Sequence, residues 1–114
     1  MTKIDYPTEI SDLFTPVQIR YHHYNNGNLC CMLWDVKENI PFCVVTKNIH
    51  DLGSKEKAYV DINNGGEALL YFLIDNKIAS STGSSITQGY CYYPLFEFKL
   101  DMADKIFYFI NDVK

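Results

Sequence analysis

Two stretches of alternating, β-prone residues, Val17–Tyr24 and Leu29–Val36, flank the tetrapeptide Asn25-Asn26-Gly27-Asn28. No other feature of the chain restricts its fold as much. Asn-Gly suits backbone that most residues avoid, and between two such stretches it predicts a β-hairpin closed by a two-residue type I′ turn. With Asn26-Gly27 at the turn centre, Asn25 pairs with Asn28 and Tyr24 with Leu29. His23 then lies opposite Cys30, and His22 opposite Cys31. Neighbouring strand residues point to opposite faces, so each face receives one histidine and one cysteine. The face carrying Val17, Ile19, Tyr21 and His23 against Cys30, Met32, Trp34 and Val36 is the expected core face. Gln18, Arg20, His22 and Tyr24 against Leu29, Cys31, Leu33 and Asp35 form the mixed face. Zinc takes four tetrahedral ligands, or three and water. Two per face, with no CxxC and no HxxxH elsewhere, gives no expected metal site and no expected cofactor.

The rest of the chain reads as follows. Residues 1–16, punctuated by Pro7 and Pro16, form an arm with one short helical turn around Glu9–Phe14. Phe42–Lys47 and Ala58–Ile62 are further strands. Asn63 or Asn64 caps a helix that runs to about Asn76, with Glu67 in its first turn and Ala68, Leu69, Phe72 and Leu73 on its apolar side. Asp61 orders the strand-to-helix turn through side-chain-to-backbone bonds. Ala79–Gly89 (ASSTGSSITQG) reads as a small-residue loop, and Tyr90–Leu100 as another strand, in which Pro94 belongs at an edge or bulge. The tail, Asp101–Lys114, is ambiguous. The spacing of Met102, Ile106, Phe107 and Ile110 favours a helix, although IFYFI also suits a strand. The expected fold is α+β, an antiparallel sheet of about five strands with one or two helices on one face. Residues 17–114 form one domain, with a helical extension from about residue 101.

Composition narrows the function classes. The net charge is −4, and no Lys/Arg run exceeds two residues, which disfavours a phosphate-binding footprint on nucleic acid. The longest uninterrupted apolar run, Ala68–Ile74, is seven residues, far too short to span a bilayer. The first residues lack the apolar stretch of a signal peptide. A cytoplasmic protein with four reduced thiols is therefore expected. A thiol nucleophile needs a lowered pKa and a base within reach. Cys31 opposite His22 meets the distance alone. Thr82-Gly83-Ser84-Ser85 has no lysine and no P-loop spacing, so it reads as a mobile or binding loop. Asp35, Asp61 and Glu97 make no catalytic pair by spacing. No catalytic residue is expected.

Five separated words carry a family resemblance: YNNGNL (Tyr24–Leu29), PFCVVTKNI (Pro41–Ile49), AYVDINN (Ala58–Asn64), Thr82-Gly83 and GYCYYPLFEFKL (Gly89–Leu100). In order and spacing the chain resembles the small proteins grouped as domain of unknown function 4313, over about residues 17–101. In that family an arginine often follows the Thr-Gly pair, and here the position is Ser84. The resemblance implies no activity. It implies a setting, the accessory genes of conjugative elements and phages in low-GC bacteria. Small acidic proteins there often bind host proteins, defence nucleases included, an analogy from setting and not from these residues. The leading expectation is a non-enzymatic protein-binding module, an anti-CRISPR-like inhibitor of a host defence system being one form of it. Tyr24, Asn25, Asn26, Tyr90, Tyr92 and Tyr93 are its candidate contact residues. The alternative is a small-ligand or nucleotide binder, or a hydrolase, using the 80–89 loop with His22 and Cys31. A third reading is a homo-oligomer joined through an edge strand.

Overall fold

The computed structural model describes residues 14–110. Of the arm expected over residues 1–16, only Phe14–Pro16 fall among them, and these are already strand. The helical turn expected at Glu9–Phe14 otherwise lies outside the described residues.

The hairpin forms, with its register moved by one residue. Strand β1 (Phe14–His23) pairs antiparallel with β2 (Leu29–Asp35), setting His22 opposite Cys30 and Tyr21 opposite Cys31. Tyr24 N–H donates to the Asn28 carbonyl at 2.9 Å, and Gly27 N–H to the Tyr24 carbonyl at 2.8 Å. Of the loop residues only Gly27 takes a positive φ, 88°. The loop is thus the three-residue kind, in which a turn is followed by a left-handed glycine. A one-residue slip exchanges the two faces of a strand. The buried side of β2 is accordingly Leu29, Cys31 and Leu33, facing inward with Val17 and Ile19. The expected inward set Cys30, Met32 and Trp34 lies on the other face with Gln18, Arg20 and His22. There the Arg20 guanidinium stacks 4.1 Å from the Trp34 ring centroid, a cation–π contact.

The run after the second turn serves two sheets. Its first part, β3 (Ile40–Val44), pairs with β2, and its last, β4 (Thr46–Lys47), pairs with β5 (Lys57–Val60). Val45 lies between them, its N–H donating to the Cys31 carbonyl and its carbonyl accepting from Asp61 N–H, both at 2.8 Å. A strand that changes sheets is a common way to turn a corner. The sheets have the orders β3-β2-β1-β8 and β4-β5-β7-β6. The architecture is α+β and antiparallel, as expected, with two four-stranded sheets in place of one of about five strands.

Helix α1 (Ile62–Asp75) follows β5. It begins earlier than expected and breaks at Gly66, where φ is 67° and ψ −168°. Asp61, at its N-cap, makes no side-chain capping bond. Leu69, Phe72 and Leu73 are buried, while Ala68 is exposed.

Two expectations fail at the C-terminal end. Ala79–Gln88 is a strand, β6, rather than a loop. It pairs with β7 (Cys91–Phe98), and the register breaks between Ser81 and Ser85. Pro94, paired with Ser85, sits at that break, as its missing N–H requires. The expected tail helix is absent from residues 100–110. A 3-10 turn (Leu100–Met102) leads into strand β8 (Ile106–Ile110), which pairs with β1. Phe107 and Phe109 point inward, so the segment has a period of two. The Phe72 ring meets Phe107 edge-on at 6.3 Å and Phe109 at 5.0 Å, and Phe42 meets Phe109 at 5.1 Å. The helix is docked on the first sheet by this aromatic cluster.

Candidate functional site

The six candidate contact residues fall into two places, the loop of the first hairpin and the tip of the second. In the first, the side chains chiefly hold the loop together. Asn28, 3 % exposed, donates through Nδ2 to Asn48 Oδ1 (2.8 Å) and to the His50 carbonyl (2.6 Å), and its Oδ1 accepts from Leu52 N–H (3.0 Å). Asn26 Oδ1 accepts from Asn28 N–H, and Asn26 Nδ2 donates to Asn48 Oδ1. The half-buried Tyr24 hydroxyl lies 3.2 Å from Thr46 Oγ1 and 3.3 Å from the Thr46 carbonyl. Thr46 Oγ1 in turn accepts from Cys31 N–H at 3.1 Å. Asn25 alone of this group is exposed with no bond of this kind. The YNNGNL and TKN words therefore fasten the hairpin loop to residues 46–52. Asn28 and Thr46 were not among the candidates, since nothing in their residue type separates a buried anchor from a surface amide or hydroxyl.

Burial first, then the Cys30 thiol and the Asp61 charge, raise the Tyr24 phenol above its ordinary value, against a lowering bond from Thr46. The Tyr93 phenol is raised first by its bond with Cys91, with burial and the Cys91 and Asp61 charges adding to it. The Cys43 thiol is pushed up to about 11, by burial and then by Asp61.

The pair proposed for the hydrolase reading is not assembled. Cys31 is fully buried among core side chains, and burial pushes its thiol well above the usual range. A buried neutral thiol is a poor nucleophile. His22 is exposed on the opposite face, beside Cys30. Thr82-Gly83, part of the 80–89 segment, is a structural bulge. Thr82 Oγ1 donates to the Leu95 carbonyl at 2.8 Å and accepts from Ser84 N–H at 3.2 Å, and Gly83 takes φ 86°. Among the described residues no group of three or more His, Cys, Asp and Glu side chains is placed to hold a metal ion.

The second place has a different character. Gln88 pairs with Cys91, leaving Gly89-Tyr90 as a two-residue turn with Gly89 at φ 64°. This turn puts Tyr90 at the apex of the hairpin, fully exposed. Tyr92 is 48 % exposed on the face it shares with Thr87, whereas Tyr93 is buried on the other face with Ile86. Tyr93 is thus a packing residue rather than a contact residue. Ile78–Phe96 contains no charged residue, in a chain with 24 (10 basic and 14 acidic). The hairpin built from that segment presents tyrosine and small hydroxyl side chains.

One concavity lies elsewhere, between α1 and β8. It encloses about 490 Å³ and is lined mainly by apolar atoms of Phe14, Tyr71, Phe72, Tyr108, Phe109 and Ile110, with Asp75 and Asn76 at hand. No helix among the described residues is long and apolar enough to cross a membrane.

The family model described as "Domain of unknown function (DUF4313)" matches residues 17–112. No curated protein and no solved structure matches the chain.

Proposed function

The chain belongs to the DUF4313 family, a domain of unknown function, and on that premise we propose that it is a non-catalytic module that binds another protein through the tip and open face of the β6–β7 hairpin. The observation that carries this reading is the uncharged run Ile78–Phe96, folded so that Tyr90 and Tyr92 stand in solvent. Interface cores are depleted of charge and enriched in tyrosine, and tyrosine supplies contact area at little rotamer cost. The finer form of the proposal is an accessory protein of a mobile element or phage, acting in the cytoplasm on a component of a host defence system such as CRISPR–Cas. That form rests on analogy of setting. Affinity capture from host lysate is the test. The wild type is expected to retain one stoichiometric host protein, the double variant Tyr90→Ala/Tyr92→Ala to lose it, and His22→Ala to keep it. Retention undiminished in the tyrosine variant would remove this face from the proposal.

A second reading, an apolar small-ligand binder, is favoured by the concavity between α1 and β8. Its volume falls in the ordinary range for ligand sites. Mass spectrometry of the purified protein under native conditions would reveal a bound ligand, and Phe72→Ala would be expected to release it.

A further inference from the structure

We propose that the concavity between α1 and β8 binds an organic ammonium ion, a cationic nitrogen carrying apolar substituents. The proposal rests on the small-ligand reading of that concavity and not on the partner-binding reading. The cavity encloses about 490 Å³, and five of its nine described lining residues are aromatic. Phe72 and Phe109, 7 % and 9 % exposed, form its inner side, with ring centroids 5.0 Å apart and planes inclined at 44°. Tyr71, 60 % exposed, stands at its rim. The faces of such rings are electronegative, so they attract a cation as well as apolar groups.

Charge at the end of α1 selects the cation. Aligned peptide dipoles give a helix C-terminus a partial negative charge, which basic residues in the last turn offset. The last turn of α1 holds no basic residue, and the helix ends on Asp75, which lines the cavity. An acid there opposes the dipole, a local cost that a bound cation removes. Asn76 donates through Nδ2 to the Phe72 carbonyl at 2.9 Å, which leaves its Oδ1 as a further acceptor. No described lining residue is basic, and Lys77, just past the C-cap, is not among them. The net charge of −4 draws cations to the molecule as a whole. The same field disfavours an anion. A hard metal ion needs more oxygen ligands than one carboxylate and one amide supply, and a neutral ligand gives Asp75 no role. An ammonium ion with apolar substituents meets the rings, the carboxylate and the space together.

The test is titration of the full chain, followed by NMR, with choline and with its uncharged isostere, the alcohol that has a tert-butyl group in place of trimethylammonium. Choline is expected to bind saturably and to shift resonances of α1 and β8. The alcohol is expected to bind about tenfold more weakly, since it lacks the cation–π and carboxylate contacts. Asp75→Asn and Tyr71→Leu alter exposed side chains, so both variants are expected to remain folded. Each is expected to shrink the preference for choline while binding the alcohol as the wild type does. Equal affinity for the two probes, or a preference that survives both substitutions, overturns the proposal and leaves the apolar small-ligand reading standing. Shifts confined to other elements overturn it as well. Binding of neither probe also overturns it, and a purified protein that in addition carries no ligand removes the small-ligand reading with it.

Discussion

Asn28 meets three groups through one short side chain, and its removal tests whether the YNNGNL word is structural. Asn28→Ala leaves the Leu52 N–H and the His50 carbonyl without these partners. Losing the partner of a buried polar group costs about 1–3 kcal/mol, so the urea midpoint should fall by that equivalent with an unchanged slope. Gly66 is a second residue whose identity is fixed by its backbone. A Cβ there meets open space, so Gly66→Ala pays only for φ 67°, about 1 kcal/mol, read from thermal unfolding. Cys31 allows a third check. Buried and held protonated, it should react with a thiol reagent only through unfolding, later than the half-buried Cys30, Cys43 and Cys91. Prompt labelling of Cys31 in the folded protein would contradict its placement.

At the scale of elements, β8 and α1 depend on one another. Phe109 touches both Phe72 of the helix and Phe42 of β3. Phe109→Ala should therefore cost about 3–5 kcal/mol, the usual range for a buried Phe. Hydrogen exchange should show α1 and β8 losing protection together. The helical spacing of Met102, Ile106, Phe107 and Ile110 was a genuine ambiguity of a short apolar run. Aromatic and β-branched IFYFI fits a strand as well, and the available edge of β1 decides for it. The β6 segment was illegible for another reason. Ser80–Ser85 are exposed on both faces, so no alternation of apolar residues marks them as strand. Pro94 was legible, because a missing N–H has the same consequence in any fold.

At the scale of the whole molecule, buried thiols and phenols bias stability against alkali. The Cys43 pKa is raised in the folded protein from its ordinary 9.0 to about 11. The unfolded thiol therefore ionises first. Its contribution is fully present below pH 9.0 and is lost as pH rises toward about 11. Cys31 and Tyr21, raised mainly by burial, act in the same direction. A chemical-denaturation series over this window should show falling stability, with a shallower fall in Cys43→Ser, whose hydroxyl does not titrate there. What the chain determined alone was local. The first hairpin, the main strands, the helix's buried face and the placing of Pro94 follow from periodicity and backbone chemistry within a few residues. The family words were legible, but their work was not, since Asn28, Thr46 and Asp61 act across more than ten positions of sequence. Tertiary structure decided the rest. It chose the three-residue loop that put Cys31 in the core and His22 outside, bent one strand across two sheets at Val45, and recruited polar β6 to the edge of β7. A strand's identity, register and exposed face depend on its neighbour across the sheet, and that neighbour lies far away in sequence.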